Sequence, residues 1–123
     1  MYIKHLNDSP QFIAGDKSHL REILHPRNDK IQTKYSLAWA TVKPGERTLP
    51  HTLTSAEVYF ILKGTGQMHI NNEESVVRER DTIYIPPNAE QYIENIGDEN
   101  LEFLCIVDPA WQPEAECIIK DYT

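Results

Sequence analysis

From Lys34 onward the chain breaks into short runs of β-favouring residues, each stopped by a turn signal, and this rhythm restricts the fold more than any other feature. Tyr35 to Val42 ends at Pro44-Gly45, and Val58 to Leu62 ends at Gly64-Thr65-Gly66. Gln67 to Ile70 meets Asn71-Asn72, a hairpin signal. Ser75 to Glu79, Thr82 to Ile85, Gln91 to Glu94 and Leu101 to Val107 continue the series. Runs this short leave no room for crossover helices, so the pattern predicts an all-β sandwich or barrel rather than βαβ units. Gly64 and Gly66 are expected to supply positive-φ positions at their turn.

The flanks read differently. Residues 1–33 form an arm in which Asp16 to His25 is the one plausible helix, with Asp16 or Ser18 as N-cap and Leu20, Ile23 and Leu24 on one face. His25-Pro26 would end it, because the residue before proline avoids the helical region. Residues 34–110 carry the strands, and residues 111–123 form a proline-stiffened tail that Trp111 is expected to anchor on the barrel as an end plug or pocket lid. The whole makes one domain. At 123 residues and 40% hydrophobic content it has material for one continuous core.

The formal net charge of −7, with no long run among the twelve Lys and Arg, argues against nucleic acid and anionic membranes as partners. No basic start followed by an apolar stretch marks a signal peptide, and no run is long enough to span a bilayer, so a cytoplasmic protein is expected. Cys105 and Cys117 match no zinc-ribbon spacing, and Cys105, inside an apolar run, reads as a small core hydrophobe.

Two stretches carry candidate chemistry. The first contains Gly45, His51, Leu53, Glu57 and Gly64, and the second Pro86-Pro87-Asn88, Gln91 and Asn95. Strand side chains two apart share a face, so His51 aligns with Leu53, and Gln91 aligns with Ile93 and Asn95. Glu57 heads an apolar strand, where a lone carboxylate would be costly; it wants a cation or a strong hydrogen-bond donor. Tyr59, Ile61, Ile83 and Ile85 are candidate pocket walls or simply barrel filling. His69 is either an exposed strand histidine or a further pocket ligand or base.

With these residues in place, the chain resembles the cupin family over roughly residues 35–110. The first cupin motif is matched at Gly45, His51, Glu57 and Gly64, with Leu53 where a second histidine belongs. The second is matched at Pro86 and Asn95, with Arg80, Asn88 and Gln91 replacing Gly, Gly and His. The resemblance implies a jelly-roll barrel, the double-stranded β-helix. It also implies a divalent metal (Mn, Fe, Ni or Zn), weakly held by His51, Glu57 and Gln91 with nothing from Leu53. Such a site would serve a Lewis-acid isomerase, epimerase or lyase acting on a small polar molecule, with Glu57 as catalytic proton carrier. The alternatives are a non-catalytic sensor or carrier with a metal-free polar pocket, and a structural homodimer pairing through Val58, Phe60 and Leu62.

Overall fold

The structure, a computed structural model, describes residues 1–121. The described residues form eleven strands in two antiparallel sheets. The first sheet runs β1 (Phe12–Ile13), β2 (His19–Leu24), β3 (Ser36–Val42), β10 (Leu101–Asp108), β5 (Ala56–Lys63) and β8 (Thr82–Ile85) in spatial order. The second runs β11 (Glu116–Ile118), β4 (His51–Leu53), β9 (Gln91–Asn95), β6 (Thr65–Ile70) and β7 (Glu73–Arg78). The strands expected beyond Lys34 are all present, with ends moved by a residue or two. No helix is long and apolar enough to cross a membrane among the described residues.

Strict alternation builds the core. Ser36, Ala38, Ala40 and Val42 of β3 point inward, as do Glu57, Tyr59 and Ile61 of β5 and Phe103, Cys105 and Val107 of β10. Tyr59 and Phe103 meet with ring centroids 4.4 Å apart. Val58, Phe60 and Leu62 lie on the opposite, outward face, beside the exposed Tyr84 and Ile106. Asn95 supports the second motif mechanically: its Nδ2 donates to the carbonyls of Val42 and Glu99, and its Oδ1 accepts from the Gly97 N–H.

The helix expected over Asp16 to His25 is absent. His19–Leu24 is strand β2, paired with β3 so that Leu20 lies opposite Ala40 and Leu24 opposite Leu37. Asp16 Oδ1 does accept from the Ser18 N–H and hydroxyl, at 3.0 and 2.7 Å, but it closes a turn rather than starting a helix. The open edge of β3 offers a full ladder of backbone bonds, and that tertiary gain overrides a weak helical pattern. The arm's only helical turn is a 3₁₀ turn at Leu6–Asp8.

The turns are mostly as expected. Gly64 has φ of +90°, and a Cβ there would sit 2.7 Å from the Asn100 carbonyl oxygen. Asn88 and Arg80, standing where the family has glycine, both take positive φ, so the backbone shape survives the change of residue. Gly66 is a correction. It lies in β6 without positive φ, and a Cβ there would press on Leu101 and Ile93.

Candidate functional site

Between the sheets lies a cavity of about 90 Å³. Its origin is legible on β3, where the inward positions Ser36, Ala38 and Ala40 carry small side chains and leave the barrel unfilled. The cavity is below the roughly 150 Å³ of an engineered void that takes benzene, so it suits a small ligand or a few waters. Trp111 and Glu116 of the tail and Ala14 to Asp16 of the arm line it too. The tail is tied down at several points. Trp111 N–H donates to Ser36 Oγ, His25 Nε2 lies 2.7 Å from the Trp111 carbonyl, and β11 pairs with β4 so that Ile118 faces His51.

Glu57 is the centre of the site. It is 5% exposed, placed by β5 between β10 and β8, with Val107 and Ile85 as cross-strand neighbours. Its Oε1 accepts from Gln91 Nε2 at 2.7 Å, and its Oε2 accepts from the Cys105 thiol at 2.9 Å. Gln91 in turn accepts from the Tyr59 hydroxyl at 3.1 Å. Burial pushes the Glu57 carboxyl up, against the opposing pull of the Cys105 and Gln91 hydrogen bonds and of His51. Burial also drives the Cys105 thiol and the Tyr59 hydroxyl well above their ordinary values, with the Glu57 charge adding to both. Both therefore remain protonated donors.

His51 meets the site from the second sheet and is 3% exposed. Its Nδ1 lies 2.6 Å from the Leu49 carbonyl oxygen. A carbonyl only accepts, so Nδ1 carries a proton and Nε2 is the ring's remaining position. That nitrogen has no hydrogen-bond partner; Asp16 Oδ2 is 3.9 Å away.

The three expected metal ligands are thus unequally placed. Glu57 and Gln91 are in direct contact, and His51 and Gln91 are register partners on β4 and β9. The donors do not converge, however. Both Glu57 oxygens accept hydrogen bonds, and the Gln91 oxygen, its only ligating atom, faces Tyr59. Leu53 fills its position with buried hydrocarbon. No cluster of three His, Cys, Asp or Glu side chains suited to a metal occurs among the described residues. In this arrangement the residues fit a divalent ion poorly. His69 does not repair the set, because it sits on the outer face of the second sheet. There it stacks on Tyr92 at 4.1 Å between Glu74 and Glu94.

Two members of the site escaped the sequence reading. Cys105 was expected to be inert core, but its thiol holds Glu57; the register partner Tyr59 gave the only hint, since both strands alternate in step. Asp16 was expected at a helix start and instead lines the pocket.

Two antiparallel sheets packed around a carboxyl-centred cavity make a jelly-roll barrel. The chain belongs to the cupin domain family, whose model matches residues 38–107. It is 46% identical over 110 residues to an uncharacterized protein of Methanocaldococcus jannaschii, covering 89% of this chain and 87% of that one. It is 36% identical over 107 residues to a mannose-1-phosphate guanylyltransferase of Klebsiella pneumoniae, covering 82% of this chain but only 23% of the enzyme. The chain thus spans about a quarter of that relative's length. Among solved structures, Bacillus subtilis oxalate decarboxylase, a protein with Mn(II) centres, superposes with a TM-score of 0.80 at 22% identity, over 93% of this chain and 31% of that one. At that identity the likeness is one of fold.

Proposed function

We propose that this chain is a small-molecule-binding cupin that works without a resident metal. Its pocket presents the open His51 Nε2 to a small polar ligand and holds Glu57 as a buried carboxyl group whose pKa burial raises. The supporting observation is the direction of the Gln91 amide. With its nitrogen on Glu57 and its oxygen on Tyr59, Gln91 serves the carboxyl group as a hydrogen-bond donor rather than a metal as a ligand. Glu57 and His51 are then the pair able to hold and pass a proton to a bound molecule.

A second reading draws on the acidic lining of the cavity and on the relatives. It has Mn, Fe, Ni or Zn bound by His51, Glu57 and Gln91, supplying Lewis-acid chemistry to an isomerase, epimerase or lyase. It requires the Gln91 amide to turn and the Tyr59 hydroxyl to find another acceptor.

Metal analysis of protein purified without chelator or a metal-affinity tag separates the two. The first reading predicts far less than one equivalent of each metal and no thermal shift on adding Mn(II). Near-stoichiometric metal that disappears in His51→Ala overturns it.

A further inference from the structure

The cavity wall carries four carboxyl groups, Asp16, Glu22, Glu57 and Glu116, and no lysine or arginine lines it among the described residues. Aromatic rings supply much of the remaining wall: Phe12 and Trp111 in the arm and tail, and the Tyr59–Phe103 pair within the barrel. The Trp111 indole N–H donates to Glu116 Oε2 at 3.1 Å, which holds that carboxylate at the pocket wall. His51 lines the same space on a side chain 3% exposed, and its Nε2 has no hydrogen-bond partner. Asp16 Oδ2 stands 3.9 Å from it, while Asp16 Oδ1 is already engaged by Ser18.

We propose that the pocket selects a small organic cation of the alkylammonium class and rejects small anions. This rests on the metal-free reading of the site given above. An ammonium N–H donates to His51 Nε2, which accepts when the ring's one proton is on Nδ1, and to the open Asp16 oxygen, and no Lys or Arg of the wall opposes its charge. Its alkyl part meets aromatic walls that attract cations through their ring quadrupoles. A carboxylate or phosphate brings acceptors to a site already rich in acceptors, and a negative charge to a wall of carboxylates, which costs affinity twice. The small volume restricts the ligand to a few heavy atoms unless part of it projects from the mouth.

The test titrates the full chain, in EDTA, with ethylammonium and separately with oxalate. It reads the ¹H–¹⁵N shifts of His51, Glu57 and the Trp111 indole, with calorimetry in parallel. Saturable shifts with ethylammonium and none with oxalate are expected. Tetramethylammonium, which has no N–H to give His51, binds more weakly. Asp16→Asn and Glu116→Gln, both on the pocket wall and checked for intact spectra, each weaken ethylammonium about threefold or more. Oxalate binding as tightly as ethylammonium overturns the proposal. So does the absence of any shift with ethylammonium up to its solubility, or wild-type affinity in both variants. Repeating the calorimetry with added Mn(II) keeps the two readings apart. Oxalate bound only with Mn(II) overturns the metal-free reading, whereas oxalate bound in EDTA overturns the charge selectivity.

Discussion

A carboxylate taken from water into an apolar barrel is costly unless donors replace its hydration, and Glu57 receives two, from Gln91 and Cys105. Truncating Gln91 to Ala strips one donor from the carboxylate, leaves the Tyr59 hydroxyl without its acceptor, and opens a void. Gln91→Ala is therefore expected to cost about 2–4 kcal/mol in denaturant unfolding. Cys105→Ser, which keeps a donor, is expected to cost less than Gln91→Ala. A second prediction tests whether only the ligands differ from the metal-binding family pattern. Leu53→His with Gln91→His is expected to bind Zn(II) at least tenfold more tightly than wild type by competition with a chelating dye. Equal affinity would mean that the pocket geometry, and not the residue types, excludes the ion. At this scale the sequence was half legible. A lone glutamate in an apolar run announced a partner, and the shared face of His51 and Leu53 was readable from alternation. The partner's identity was not, because Cys105 and Gln91 reach Glu57 from strands 48 and 34 residues away, and no local pattern encodes that meeting.

The elements divide into a barrel readable from its turns and flanks that are not. Turn residues with special backbone needs mark their positions locally, which is why Gly45, Gly64 and Asn71 bounded strands correctly. The span Asp16 to His25 carries both a helical stripe and a usable strand pattern, and only the free edge of β3 decides between them. The tail poses a similar question, and β11 answers it by pairing along β4 with Glu116 opposite Leu53 and Ile118 opposite His51. Truncation after Gln112 is expected to leave the barrel folded with a loss of about 1–2 kcal/mol. Amide exchange at Thr52 and Thr54 should rise while that of β3 and β10 stays slow. Loss of protection throughout the first sheet would show that the tail is part of the folding core instead of a cover on its mouth.

For the molecule as a whole, the buried carboxyl group ties folding to pH. The Glu57 pKa is raised in the folded chain, so the folded state binds this proton more tightly than the unfolded state does. The stability it contributes is complete below the unfolded-state value and is lost as pH rises through the folded-state value. Asp29 works in the opposite direction. Its carboxyl group is lowered by hydrogen bonds from Tyr2, the His25 N–H and Lys4, although burial alone would raise it, and its contribution is lost as pH falls. Thermal melting of wild type against Glu57→Gln isolates the first effect. The melting-temperature difference is expected to move in favour of the variant as pH rises above the ordinary glutamate range, and a difference constant with pH would contradict it. The central claim is that Glu57 is a buried, hydrogen-bonded carboxyl group with a raised pKa and not a metal ligand. The most direct measurement is a ¹³C NMR titration of the Glu57 carboxyl carbon, without metal and with one equivalent of Zn(II). The account predicts a midpoint above the ordinary glutamate range that Zn(II) leaves in place. A midpoint at or below that range, or a carboxylate that Zn(II) holds ionised throughout, would contradict it.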